Sequence, residues 1–359
     1  MRLVTLTSQT TDAAERGREI GAAFGDELSA SAELYRDHFV DLGIDLDVAD
    51  DIARRSHEAL REWYAPLADE SDAMADAAGI DRLLVAAVGA RTEILAAAEP
   101  QREGECSTAV HVPAVGAAQT IQTWDWHDSL VPSGLLLDYA PSSDRRVKLF
   151  TEFGTAAKIG VSSAGIGLHF NILSHREDRA TGGVPVHAIA RRILDQASTL
   201  DEAVAIAESA TVSASTVFTV VERGADGEPW QAASIEVSPA GCAVVRPGDD
   251  GWLLHTNHFL DPELAAGDTM PADSTTAERY EHLATAKQGM ADLAPVDRAA
   301  AMCGGLGDTA EVCLRAEPGK PAHEQWDTLL TIGIDAESTS LDVYPGTPAD
   351  AARHGMTRF

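Results

Sequence analysis

The hydrophobic period of this chain changes at a cysteine. Through the first hundred residues apolar side chains recur at helical spacing, in "AAERGREIGAAFGDELSASAELYRDHF", "DVADDIARRSHEALREWY" and "LADESDAMADAAGIDRLLVAAVGARTEIL". Asp12 with Glu15 reads as a capping box, Gly79 as a break, and "EPQREGE" as a loop. From Cys106 onward the period shortens. "STAVHVPA", "TIQTWDW", "RVKLFTEF" and "GIGLHFNIL" read as strands, and so do "STVFTVVER", "PWQAASIEVSP", "CAVVRPG" and "GWLLHTNHF". Two pairs of helical segments interrupt them, "VPVHAIARRILDQAS" with "LDEAVAIAESA" and "STTAERYEHLATAKQG" with "PVDRAAAMCGGL", and "DTLLTIGIDAESTSLDVYPG" closes the chain as a hairpin. Strict βαβ alternation is absent, which disfavours a doubly wound parallel sheet. Blocks of antiparallel strands between helix pairs predict layered α+β in one compact unit, sheets in the middle and helices outside.

Charge excludes several partner classes. The 359 residues carry 57 acidic against 27 basic side chains, a formal net of −30, and only four lysines, Lys148, Lys158, Lys287 and Lys320. A field of that sign opposes nucleic acid and anionic lipid. Either a salt-tolerant source or a merely acidic mesophilic protein accounts for it. With no signal-like N-terminus and no apolar run of spanning length, no membrane partner is expected and the expected location is cytoplasmic. Cys106, Cys242, Cys303 and Cys313 show no C-x-x-C spacing, so neither a zinc site nor a disulfide framework is expected. Glycines in "GGVPVHAIA" lack the spacing and lysine of a phosphate loop.

A cysteine at a helix-to-strand seam is ordinarily a small buried hydrophobe. Cys106, directly after a polar loop and before a strand, allows a second reading. Its thiol can attack the preceding carbonyl in a strained turn, and water then cleaves the resulting thioester. Cys106 would emerge as an N-terminus whose free amine, of pKa near 7.7–8.0, can serve as base to its own thiol.

The stretch "CSTAVHVPAVGAAQTIQTWDW" resembles the processing site of the penicillin acyltransferase (isopenicillin N acyltransferase) family of N-terminal-nucleophile hydrolases. "GARTEIL", "TEFGTAAKIGVSSAGIGLHFNIL", "TGGVPVHAIARRIL" and "HTNHFL" agree with it in family order. The resemblance implies a four-layer αββα fold and self-cleavage of a zymogen between Glu105 and Cys106. Residues 1–105 would become a helical small subunit and 106–359 the catalytic large subunit, the two fragments staying associated. It implies a cysteine-nucleophile amidohydrolase or acyltransferase acting on a linear amide or acyl thioester. The partners would be a small-molecule acyl donor and water or an amine. No cofactor is expected, acyl-CoA being a candidate co-substrate.

By the same resemblance, Asp125 matches the aspartate that orients the new α-ammonium, and Asn257 the asparagine whose amide donates to the oxyanion. Arg315, in "VCLRAEPG", matches an arginine near the nucleophile that lowers the thiol pKa or holds a substrate carboxylate. The backbone of Ser107 is a candidate oxyanion donor, and Trp124 and Trp126 read as core or pocket wall, Trp124 being a candidate substrate contact. Two departures stand out. Glu105 replaces the glycine that precedes the nucleophile in the fungal enzyme, where a strained turn is less costly. Thr123 replaces the asparagine of Asn-Trp-Asp. Three rival readings remain open: an unprocessed Cys-His hydrolase using His111 or His127, a binding protein that has kept the fold, and a metal site at His255 and His258, which lacks the H-E-x-x-H glutamate.

Overall fold

The computed structural model describes residues 1–98, 105–224, 228–271, 274–322 and 325–359. The chain opens with strand β1 (Arg2–Thr7) and helices α1 (Ala13–Ala23), α2 (Gly25–Asp41), α3 (Leu46–Ala78), α4 (Arg82–Gly89) and α5 (Arg91–Leu95). Strands β2 (Ser107–His111), β3 (Gln119–Trp126), β4 (Ser133–Ser142), β5 (Arg145–Glu152), β6 (Ile159–Ser162) and β7 (Ile166–Ile172) follow. Next come α6 (Val186–Gln196), α7 (Leu200–Glu208), β8 (Thr216–Glu222), β9 (Gln231–Ser238), β10 (Gly241–Val245) and β11 (Trp252–His255). The last part holds α8 (Pro262–Ala265), α9 (Thr276–Met290), α10 (Pro295–Met302), β12 (Asp327–Asp335), β13 (Ser340–Tyr344), α11 (Pro348–His354) and β14 (Thr357–Arg358).

Local chemistry sets the helix ends where the sequence suggested. Asp12 caps α1 by accepting the Glu15 N–H at 2.7 Å, and Gly79 ends α3 in the left-handed conformation. Pro66 interrupts α3, where Tyr64 leaves helical geometry. Gly17 and Gly21 let α1 lie directly on α3: a Cβ at either would come within 2.2 Å of the Glu70 or Met74 carbonyl oxygen. Most of the expected "EPQREGE" loop lies outside the described residues.

The strands form two sheets, in the orders β1-β4-β5-β6-β7-β8-β9-β10 and β11-β2-β3-β12-β13-β14. All pairings are antiparallel except β1 with β4. Alternation gives each sheet two apolar faces. The facing surfaces share one core, with Cys106, Val110, Trp124 and Ile332 from the six-stranded sheet meeting Phe150, Ile159 and Val161 from the other. On the outer side of the eight-stranded sheet, Leu149, Leu168 and Ile235 pack with Ile189 and Ile193 of α6 and with Ile20 and Met74 from the N-terminal helices. Beyond the six-stranded sheet, Ala109, Ile121 and Leu254 pack with Leu283, Met302 and Ala351 of α9, α10 and α11. The order is helix, sheet, sheet, helix: the four-layer αββα arrangement.

The sequence reading needs additions: β1, β4, β6, α8, α11 and β14. β1 sits in a region read as wholly helical, and its partner is β4, with Arg2 opposite Ser133. A six-residue strand gains little from its own sequence, so a partner remote in the chain decides it. Cys303 and Cys313 are buried in the core, whereas Cys242 on β10 is only partly buried.

Candidate active site

Cys106 immediately precedes β2, and alternation turns its side chain into the core between the sheets. Ser107 points the other way, toward α9. The backbone of Cys106 is held at both ends. Its N–H donates to Oδ1 of Asn257 at 2.7 Å, and its carbonyl oxygen accepts from Nη1 of Arg279. Asn257 follows β11 and is itself fixed, donating from Nδ2 to the Ile172 carbonyl at 2.9 Å and from its backbone to Thr276 Oγ1 at 2.8 Å.

Arg279, one turn into α9, is fully buried and organises the site. Nη2 donates to Asn257 Oδ1 at 2.9 Å and ion-pairs with Glu105, Nη1 reaches Ser107 Oγ at 3.0 Å, and Nε reaches Thr275 Oγ1 at 3.0 Å. Glu105 thus has its carboxylate at the start of α9, where it also accepts from Ser274 Oγ at 2.9 Å and Thr275 Oγ1 at 3.0 Å. The peptide bond between Glu105 and Cys106 therefore has ordered groups on both sides.

Burial pushes the Cys106 thiol up to about 12, and the Asp125 carboxylate adds to the rise. Lys158, Arg279 and the Asp125 backbone N–H oppose it. Asp125, on β3, is fully buried, with Thr123 Oγ1 3.4 Å from Oδ2. Burial holds its carboxyl well above the usual carboxylate range, against the pull of Arg279. Lys158 has its ammonium 4.5 Å from the Trp124 ring centroid and 3.1 Å from Glu152, and burial with the nearby Arg91 charge lowers it to about 8. Glu152 also takes Arg91 at 2.8 Å and the Tyr35 hydroxyl. Burial would raise this carboxyl, but Arg91 and Lys158 hold it down to about 2. An ionic cluster thus lies behind the tryptophan that packs in the same core as the thiol.

A cavity of about 200 Å³ opens beside Ile172, the residue whose carbonyl fixes Asn257. Trp126, Leu95, Leu173 and Ala214 supply apolar wall, and Arg91, Arg176 and Asp178 supply charge. Burial raises Asp178 to about 6.

Two expectations need correction. Arg315 does not lie at the nucleophile: its side chain is 50% exposed and ion-paired with Asp350 in a surface cluster with Asp308 and Arg353. Arg279 and Lys158 supply the positive charge instead. Asn257 turns its carbonyl oxygen to the Cys106 nitrogen, with its amide nitrogen committed to Ile172, so it does not present an oxyanion donor here. Trp124 is buried against Phe150 and does not line the cavity, a place taken by Trp126. The histidines of the rival dyad are elsewhere. His111 stands five residues along the strand from Cys106, roughly 16 Å at strand rise, stacked on Trp252. His127 is bound through Nδ1 to the Gln325 carbonyl and packed on Trp326. His255 bonds Glu236 at 2.8 Å, and His258 bonds Thr256 and Thr276. Among the described residues no cluster of three metal-binding side chains occurs. Arg279 and Lys158 escaped the sequence reading because each sits in an unremarkable local pattern. The apolar neighbours of Lys158 in "TAAKIG", rare company for one of only four lysines, were the available signal.

The family model for acyl-coenzyme A:6-aminopenicillanic acid acyltransferase matches residues 116–350, nearly two thirds of the chain. The chain belongs to that family. The matched span contains Asp125, Asn257, Arg279 and Arg315, and starts beyond Cys106. The acyl-coenzyme A:6-aminopenicillanic-acid-acyltransferase 40 kDa form of Emericella nidulans is 24% identical over 241 residues, 66% of this chain. The alignment spans 65% of that relative's own length. Two solved structures are also similar. Penicillin V acylase from Agrobacterium tumefaciens gives a TM-score of 0.36 at 14% identity, covering 67% of this chain and 83% of that one. Conjugated bile acid hydrolase from Clostridium perfringens gives 0.43 at 11%, covering 70% and 92%.

Proposed function

We propose that the protein is a self-cleaving cysteine-nucleophile amidohydrolase or acyltransferase, processed between Glu105 and Cys106. The observation that carries this reading is the clamp on the two residues that flank that bond: Asn257 on the Cys106 N–H, Arg279 on the Cys106 carbonyl, and Arg279 again on the Glu105 side chain. In the first reaction Cys106 Sγ bonds to the Glu105 carbonyl carbon, the C–N bond breaks, and the proton passes to the departing nitrogen. Water then releases the thioester, leaving a Glu105 carboxylate and a free Cys106 amine and thiol. Asn257 Oδ1 accepts from the nitrogen throughout, favouring the developing ammonium. The Asp125 carboxyl is a second acceptor for it.

In the mature enzyme the amine takes the thiol proton, Sγ attacks an acyl donor, and water or an amine removes the acyl group. The substrates are linear amides or acyl thioesters of small N-acylated metabolites, including acyl-CoA, with the cavity beside Ile172 receiving part of the donor. The fragments stay together because β1 is hydrogen-bonded to β4 and α1 to α4 pack across the outer core. Intact mass under denaturing conditions tests the reading directly. Wild type should give fragments ending at Glu105 and beginning at Cys106, and Cys106→Ala a single chain. An uncut wild-type chain that turns over acyl substrates would sink it.

A further inference from the structure

The Glu105 side chain is bound far more elaborately than a cut site requires. Its carboxylate is fully buried, paired with a fully buried arginine and met by two hydroxyls and the Thr275 N–H at 3.3 Å. A desolvated carboxylate is tolerated only where a site is built for it. Here that site adjoins the nucleophile, because the guanidinium that holds the carboxylate also holds the Cys106 carbonyl.

Self-cleavage makes this arrangement a record of substrate binding. At the thioester stage the acyl group on Cys106 Sγ is the glutamyl unit of Glu105, with its side-chain carboxylate against Arg279. Hydrolysis turns Glu105 into a chain end and frees it to leave. Arg279, Ser274 and the Thr275 N–H would then be a buried, positively charged subsite without its carboxylate. From the carbonyl carbon of Glu105 to its Cδ is a five-carbon chain, the skeleton of a glutaryl or glutamyl group.

We infer that the Glu105 pocket is the acyl subsite of the mature enzyme, occupied by the chain itself until cleavage, and that it selects acyl donors ending in a carboxylate at glutaryl length. This rests on the self-cleavage reading above. Recognition would come from the buried donors: an acyl group lacking the carboxylate leaves Arg279 unmatched, a large penalty for a site made to bind charge.

The test uses cleaved wild-type protein, its two fragments first verified by intact mass. The anilides of glutaric acid (as the half-amide), of glutaramic acid and of pentanoic acid are compared as substrates. In parallel, iodoacetamide alkylation of Cys106 is timed with free glutarate or pentanoate present. The glutaryl anilide should exceed the pentanoyl anilide by at least ~10-fold in kcat/KM, with the neutral glutaramyl compound near the pentanoyl one. Glutarate alone should slow alkylation. Ser274→Ala, which removes one hydroxyl from the carboxylate and leaves Arg279 in place, should narrow the glutaryl preference. Equal use of the acyl groups, with no protection by glutarate, overturns the inference while self-cleavage stands. A chain that never splits overturns both.

Discussion

Asn257 presents its side-chain oxygen, not its nitrogen, to Cys106: Oδ1 lies 2.7 Å from the Cys106 backbone nitrogen, and Nδ2 lies 2.9 Å from the Ile172 carbonyl. The residue therefore spans the two sheets and fixes the nitrogen that would leave in self-cleavage. Asn257→Ala strips partners from two buried backbone groups, so it should destabilise the fold by about 1–3 kcal/mol and slow cleavage. Asn257→Asp keeps the acceptor and loses the donor, so it should cleave faster than the alanine variant. Urea midpoints and the half-time of fragment appearance by mass check both. Equal half-times in the two variants would mean that the acceptor does not matter.

Arg315 offers the opposite expectation. Its ion pairs with Asp350 and Asp308 are at the surface, where such pairs contribute about 0–1 kcal/mol. Arg315→Ala should therefore shift stability by less than about 1 kcal/mol and leave cleavage and turnover near wild type. Loss of turnover in that variant, with the fold intact, would return Arg315 to the nucleophile.

The pH dependence of self-cleavage follows from the thiol. With Cys106 pushed up to about 12, the reactive thiolate is a minor form in the uncut chain at neutral pH. Its population rises tenfold per unit of pH below that value, so the cleavage rate should climb steeply from pH 6 to pH 9. A time course of intact mass across this range measures it. A flat profile would show that a neighbouring base, with Asp125 the first candidate, takes the proton.

Glu93 gives a stability prediction. Its Oε1 accepts the Val186 N–H at 2.9 Å, its Oε2 has no partner among the described residues, and burial raises its carboxyl from 4.5 to about 7. The folded chain binds this proton more tightly than the unfolded chain does. The stabilisation is complete below about pH 4.5 and is lost as pH rises through about 7. Glu93→Gln removes the charge, so it should gain on wild type at pH 8, by at most about 3 kcal/mol, with the gap closing toward pH 5. Urea midpoints at the two pH values decide it.

Much of the molecule was legible locally. The change of period at Cys106 marked the start of the strand-rich part, and Asp12 and Gly79 marked helix ends through capping and backbone preference that act within a few residues. β1 was not legible, because its strand character depends on pairing with β4 far along the chain. "GARTEIL" is one of the stretches that carry the family resemblance, yet the role of Arg91 depends on Glu152 and Lys158, which β5 and the approach to β6 deliver to it.

By itself the sequence determined the layered order of helices and strands, the seam that sets Cys106 before a strand, and the presence of Asp125 and Asn257, because these depend on periodicity and short motifs. Tertiary structure alone decided which charged groups attend the thiol. Arg279 and Arg315 have the same side chain, and only the packing of α9 across the six-stranded sheet buries the first against Glu105 and Cys106. A buried guanidinium must find compensating partners, and those partners come from segments that meet only in the folded chain. The orientation of the Asn257 amide was decided in the same way, by a carbonyl of β7 on the opposite sheet.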